Sequence, residues 1–491
     1  MIYKNILYST LSGLLLFASC AQTPENAEQV NHLPNMYPDY ADVTIPVNIA
    51  PLNFEIRNKH LCNIETILTI EGADEYDADN TLTATSNSQN LKFDLKEWKY
   101  FLAKAAGKNI KVQIYSKNDE GKWTAFRPFT WQVVSDSIDS YLTYQLIEPT
   151  YDVWSKTKIK QRCIENWDEK ILADYTLIKN LKMNTYAYGN QDENLSIIYL
   201  RGENGGTILN RNGKLRKLNL QGKGMASPGI YYSFNPSGRY LTYSTNTMVR
   251  DFNINTDKRL EVYDTASSIY VADLNDNHII SSPLASDSSR LETFPTFSPN
   301  GKYIYYCAAN KKELSDKNLK NLKYALVRIP FNEENGRFGE RIDTLYSSRS
   351  VCHPKLSPDG RFCLFTVLDY GTFPAWHTES DLYMLDLQTG KTDSLNIVNS
   401  KKSDTYHCWS HTGKWFVFIS KRDDGIYGKP YFCYIDRQGK AHKPFVLPQK
   451  ELSFYDDCLK SFNIPELSRG PVPFNTIDIE QALKQEAEQF R

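Results

Sequence analysis

Four of the eight histidines, His353, His377, His407 and His411, fall between positions 353 and 411. Imidazole binds divalent metals and moves protons near neutral pH, so this stretch is the first place to look for chemistry. A metal needs several such ligands at short spacing, and the stretch holds no H-x-H pair and no carboxylate triad. Capping a strand or packing on an aromatic is the plainer role for each imidazole, so no metal and no catalytic residue is assigned. No G-x-S-x-G sequence occurs anywhere, which removes the nucleophile elbow of a serine hydrolase. The loop Tyr370-Gly371-Thr372-Phe373-Pro374-Ala375-Trp376-His377-Thr378-Glu379 sets Tyr and Trp beside a Pro. It suits contact with a sugar face or a peptide, and core packing of the same aromatics suits it equally.

A repeat must position these residues. YYSFNPSGRYLTYSTN, FPTFSPNGKYIYYCAAN, HPKLSPDGRFCLFTVLD and HCWSHTGKWFVFISKRD each run from an apolar pair through a turn into an alternating apolar strand. The turn glycines are Gly238, Gly301, Gly360 and Gly413, at intervals of 63, 59 and 53. A tight hairpin connection needs positive φ, which Gly adopts at little cost. A degenerate fifth copy lies upstream, where Asn194 to Tyr199 matches Gly238 to Tyr243. Further strands between the turns, with hairpin ends at Asn275-Asp276 and Thr389-Gly390, bring each unit to about four strands, the content of one propeller blade. The loops entering the repeats put Phe294, His353, Tyr406 and His407 at equivalent places in three successive units. They are expected to encircle one mouth of an axial channel, with Trp376 and His377 nearby on the longer loop.

The Ser-Pro-Asp-Gly type of turn, and the strand Asp381-Leu382-Tyr383 with its Asp386-Leu387-x-x-Gly390 ending, resemble the TolB-like or PD40 repeat, a WD40-like unit, over residues 180–440. The resemblance implies an all-β, six-bladed TolB-like β-propeller, with seven blades the alternative and residues 141–175 supplying a further blade. The whole chain is similar to lipoproteins of Gram-negative bacteria that place a sandwich before the propeller. Some of those carry a Cys-x-x-Cys-His haem motif near the first repeat. The corresponding stretch here, Lys182 to Tyr186, has neither thiol nor imidazole, so no haem and no other cofactor is expected. Propellers of this type often precede a hydrolase domain in prolyl-oligopeptidase-like enzymes, but the 78 residues after Gly413 leave no room for one. Oligogalacturonate lyases are also TolB-like propellers and hold a metal with histidines over the channel. A metal-dependent carbohydrate-active enzyme is therefore the competing reading.

Residues 41–135 have a different pattern: alternating strands and one helix, with Asp94 and Glu97 as a capping pair, Trp98, Phe101 and Leu102 inward, and Gly107 beyond its end. A small immunoglobulin-like or fibronectin-like sandwich is expected there, the propeller over 136–465, and a tail over 466–491 with one short helix carrying Ile479 and Leu483. Residues 20–40, polar and holding three Pro, read as a flexible tether.

The formal charge is −1, far from the excess a phosphate-binding surface needs, so nucleic acid is not an expected partner. The first twenty residues carry Lys4, an apolar run from Ile6 to Phe17, and Phe17-Ala18-Ser19-Cys20, which resembles a lipoprotein signal with residues 1–19 removed and Cys20 acylated. An ordinary signal peptide with an incidental Cys is the alternative. Ala21 is not the Asp associated with inner-membrane retention, which implies the outer membrane, on its periplasmic face or the cell surface. Disulfides are permitted among the eight later cysteines, but Cys307, Cys363 and Cys433 sit in apolar strands and read as buried free thiols.

The expectation is a non-catalytic, lipid-anchored envelope protein whose propeller binds or scaffolds proteins, peptides or glycans. If Cys20 carries the anchor, a Cys20→Ala variant should leave the membrane fraction in a high-salt wash, as followed by immunoblot; retention would place the anchor elsewhere.

Overall fold

The computed structural model describes residues 24, 26–58, 60–74, 77–148, 157–177, 182–252, 260–314 and 319–491. The lipidation site expected at Cys20 lies outside them, as do the side chains of Lys182, Met183 and Asn184 in the stretch compared with the haem motif.

Each repeat turn is built from its own residues. Gly301 has φ +71° and Gly360 has φ +73°, the left-handed conformation that glycine adopts without a Cβ clash. The residue opening the turn latches the next strand. Ser298 Oγ accepts from the Tyr303 N–H at 3.0 Å, Ser357 Oγ from Phe362 at 2.9 Å, and Asn235 Oδ1 from Tyr240 at 2.8 Å. This explains why Ser or Asn opens the turn. The strand that follows is apolar because both its faces pack: Phe362–Leu368 and Trp415–Ser420 are buried at every position.

The resulting chain is mostly β, with several four-stranded antiparallel sheets as in a β-propeller. Ser350–Leu356, Phe362–Leu368, Asp381–Asp386 and Thr392–Asp393 form one, and Asp404–Trp409, Trp415–Ser420, Lys429–Tyr434 and Phe445–Val446 another. Their first strands touch in a closed circuit. Lys182–Gly189 meets Ile230–Phe234, then follow Arg290–Phe297, Ser350–Leu356, Asp404–Trp409 and Ser461–Ser468, which returns to Lys182–Gly189. The circuit closes through the C-terminal part of the chain. Ser461–Ser468 pairs antiparallel with Tyr141–Ile147, so the sheet of Tyr141–Ile147, Lys158–Cys163 and Glu169–Asp174 takes its fourth strand from more than 300 residues away. The division expected at 465/466 therefore falls inside a strand and is corrected. The segment has no turn signal to mark it, and its partner is remote.

The expected C-terminal helix spans Thr476–Leu483, capped by Asn475, with Ile479 and Leu483 buried. Beyond it Glu488–Gln489 adds a parallel edge to Lys214–Asn219.

Ahead of the ring, Leu61–Ile70, Thr81–Ser86, Asn109–Asn118 and Phe129–Val134 belong to one sheet, and Phe54–Ile56 lies in a smaller one with Met36–Tyr37 and Asn90–Leu91. The helix Leu95–Lys104 begins at Asp94, whose carboxylate accepts from the N–H groups of Lys96 and Glu97. Trp98 is a core residue, and its indole donates to Ile49 O at 2.9 Å. The flexible tether expected over 20–40 is corrected for its later part: Glu28–Gln29 pairs with Trp123–Ala125, and Tyr40 is fully buried. Polar, Pro-containing residues lack the alternation that signals a strand, yet backbone pairing does not need it. Tyr40 O accepts from the Trp131 indole at 2.7 Å.

The N-terminal sheets are bolted to the ring by polar contacts. Thr44 Oγ1 lies 2.9 Å from His442 Nδ1; in the segment that joins these sheets to Tyr141–Ile147, the buried Asp139 carboxylate accepts from the backbone N–H of His411 at 2.8 Å and pairs with its ring. His411 stands exposed in place of the turn Pro, and its contacts tie the turn to Asp139. All eight cysteines from Cys62 onward are free thiols, and Cys307, Cys363 and Cys433 are buried. Among the described residues no helix is long and apolar enough to cross a membrane.

Closure makes the ring cooperative, because without Ser461–Ser468 the strand Tyr141–Ile147 has an open edge. A chain ended after Lys450 should aggregate or fail to melt cooperatively, as read by calorimetry; a soluble fragment with one sharp transition would mean that closure is dispensable.

Candidate functional site

Near the middle of four first strands the pairing register slips. The slip lies between Ile230 and Ser233, between Thr293 and Thr296, between Cys352 and Lys355, and between Thr405 and His407. One residue within each slip has left-handed backbone: Tyr231 (φ +55°), Phe294 (+53°), His353 (+53°) and Tyr406 (+43°), with Ile464 (+46°) in the closing strand. For a bulky side chain this conformation costs on the order of 1–2 kcal/mol, so neighbouring contacts must offset it. They do so in a chain of rings. Centroids are 4.3 Å apart for Tyr231 and Phe294, 4.1 Å for Phe294 and His353, and 4.6 Å for His353 and Tyr406.

The structure thus brings together Phe294, His353, Tyr406 and His407, around a cavity of about 70 Å³ that Tyr231 and Ile464 also line. Phe294 and His407 are buried there, whereas His353 and Tyr406 keep partial exposure. The register slip turns each one inward, and a slip leaves no mark in the apolar pattern. Tyr406 and His407 are also not equivalent. Tyr406 occupies the left-handed place, seven residues before Gly413 as His353 is before Gly360, whereas His407 takes the next position, where Phe294 and His353 are each followed by Pro. Tyr231 keeps the same spacing to Gly238, so the sequence held that signal; Ile464 precedes no such turn and had none.

Both axial imidazoles are neutral. Burial, with His407 and Lys355 adding to it, holds His353 well below the usual imidazole range, and among the described residues its Nδ1 has no hydrogen-bond partner. Burial likewise pushes His407 down to about 3, although its Nε2–H donates to Leu364 O at 2.9 Å. Beside them Lys355 Nζ lies 3.2 Å from Glu466 Oε1, and Cys408 Sγ donates to Glu466 Oε2 at 3.2 Å. Among the described residues no three or more His, Cys, Asp or Glu side chains are placed to hold one metal ion.

Tyr406 also faces a second, larger cavity of about 280 Å³, which Trp376, Thr405, Lys421, Phe462 and Asn463 line as well. The short 3₁₀ turn Pro374–Trp376 places the indole there. Lys421 Nζ donates to Ala375 O at 2.7 Å and stands 5.1 Å from the Trp376 ring centroid. His377 is not among the lining residues. It is buried, with Nδ1 2.9 Å from Glu379 Oε1, Nε2 3.4 Å from Glu261 Oε2, and its ring edge-on to Tyr370, whose hydroxyl donates to Glu261. Lys421 and Thr405 were not singled out from sequence; neither lies in a motif, and only the fold brings them to Trp376.

No family model and no curated protein matches the chain. Among solved structures it is similar to a Synechocystis apocarotenoid oxygenase variant, at 11% identity and TM-score 0.38, over 87% of this chain and 95% of that one. It is similar to an oligogalacturonate lyase in complex with manganese at 11% identity and TM-score 0.35, over 63% and 74%. A prolyl oligopeptidase B from Galerina marginata matches at 10% identity and TM-score 0.35, over 69% of this chain and 42% of that one. Likeness at this level carries no argument about activity.

An imidazole that stays neutral when folded and titrates near 6.5 when unfolded makes the unfolded state bind the extra proton below that pH, so stability is lost on acidification. Replacing His353 by Phe keeps a ring on the axis and removes one such group. Between pH 6.5 and pH 5 the His353→Phe variant should lose about 2 kcal/mol less stability than the parent in urea unfolding, at about 1.4 kcal/mol per pH unit per proton. Equal losses would show that His353 is not held neutral.

Proposed function

We propose that this chain is a six-bladed TolB-like β-propeller with an N-terminal sandwich, held at the outer membrane by a lipid on Cys20, and that it binds proteins, peptides or glycans without catalysing a reaction on them. The six first strands that touch in a circuit support the blade count. The observation that carries the binding reading is the cavity beside the axis, where Trp376 and Tyr406 meet one volume of about 280 Å³. Aromatic groups at a concave opening supply area and a polar edge at low entropic cost, the usual make-up of a binding hot spot. The competing reading, a metal-dependent carbohydrate-active enzyme, needs His353 and His407 as ligands. His407 commits Nε2 to Leu364 O, and His353 is packed between Phe294 and Tyr406.

The axis and the cavity separate in experiment. In the full chain in detergent, Trp376→Ala should lower binding to an array of envelope glycans and peptides at least tenfold, the loss of a hot spot of about 2 kcal/mol, with the melting temperature nearly unchanged. His353→Ala should lower the melting temperature, since emptying a packed ring site costs about 2–4 kcal/mol. Full binding by Trp376→Ala, or an unmodified chain that binds nothing on the array, would overturn the proposal.

A further inference from the structure

Lys421 is the one lysine among the residues lining the cavity beside Trp376. Its polar contact is a single hydrogen bond to the Ala375 carbonyl, and among the described residues no carboxylate lies within ion-pair distance of its ammonium group. The acids around it are engaged elsewhere. Glu148, in the same cavity wall, pairs with Lys460 at 3.3 Å. Asp424 accepts from the backbone N–H groups of Ile426 and Tyr427 at 2.7 and 2.8 Å, and Asp404 pairs with Arg422 at 3.1 Å. Burial accordingly pushes the Lys421 ammonium down to about 8, against the pull of Asp424. A lysine partly withdrawn from water without a counter-ion is costly unless something else supplies the charge.

A second donor lies in the same cavity. Thr405 Oγ1 is buried and, among the described residues, has no hydrogen-bond partner. An ammonium without a counter-ion and a hydroxyl without a partner both suit a group that only accepts hydrogen bonds and carries negative charge. One cation balances one charge, which matches a carboxylate. The remaining walls, Trp376, Tyr406, Ile419, Ile426 and Phe462, are apolar or aromatic and suit a compact organic frame. The volume of about 280 Å³ is enough for one sugar ring or one amino acid.

We infer that this cavity is a binding site for a small carboxylate, with Lys421 as the charge partner, Thr405 as a further donor, and Trp376 and Tyr406 packing on the carbon frame. The inference rests on the reading of this face as the binding face and adds the chemical class of the ligand. That class has two sources, a sugar acid or an amino-acid carboxylate.

The test is calorimetric titration of the full chain in detergent with glucuronate, with glucose as its uncharged counterpart, and with N-acetylalanine. At least one carboxylate should bind tenfold or more tightly than glucose. Preference for glucuronate identifies a sugar acid, and preference for N-acetylalanine an amino-acid source. Lys421→Met should abolish the preference and Lys421→Arg, which keeps the charge, should retain it. If Lys421→Met does not fold, the comparison on the unmodified chain and Lys421→Arg decides. Equal binding of glucose and glucuronate, or a preference that survives Lys421→Met, would overturn the carboxylate site and leave the face as a binding face. Absence of binding by all three would overturn the carboxylate site, and silence on the glycan and peptide array as well would overturn the binding reading with it.

Discussion

Strands that converge on a common axis cannot all keep the simple alternation of a β-strand, because the side chains nearest the axis must both fill it and avoid one another. The chain meets this constraint by slipping the register in four of its first strands and turning a single residue left-handed at each slip. Tyr231, Phe294, His353 and Tyr406 then stack in series, and such ring pairs add about 0.5–1.5 kcal/mol each beyond their burial. Pro295 and Pro354 follow two of these residues, and Pro465 follows Ile464. A proline has no N–H to leave unpaired where the ladder is interrupted, so it suits the slip. The remaining parts of the ring, including its closure by Ser461–Ser468, hold these strands close enough for the stack to form.

The same constraint explains which features could be read in advance. The turns are local: Gly at φ near +70° and a Ser or Asn latch are written in four adjacent residues, so Gly301 and Gly360 marked their hairpins without any tertiary knowledge. Trp98 and the helix around it were legible for the same reason, as was the helix that buries Ile479 and Leu483. The axial position was half legible. The repeat pattern singled out Phe294, His353, Tyr406 and His407 as one group, but it could not say that the strand would slip, nor that Tyr406 and not His407 takes the left-handed place. His377 read as a neighbour of Trp376 in a loop, yet adjacent residues of an irregular turn point in different directions, and the imidazole is taken up by Glu261 and Glu379. Ser461–Ser468 and the chain before Tyr40 escaped because their partners are remote or their sequence is polar.

A filled axis has a consequence for where a ligand can sit. The cavity of about 70 Å³ left between the axial rings is the smaller of the two, about a quarter of the volume beside Trp376. Space reappears off the axis, at the junction between the sheet of Asp404–Trp409 and its neighbours, where the turn Pro374–Trp376 reaches over. Tyr406 belongs to both volumes. Its ring is packed against His353 on one side, so the surface it offers to the larger cavity is held in place by the axial stack and is already ordered before a ligand arrives. Thr405 is fixed by the same strand, one residue before the slip, and among the described residues its hydroxyl has no partner. The device that fills the axis is therefore also what leaves an ordered aromatic ring facing Lys421, and recognition at this face depends on the packing behind it.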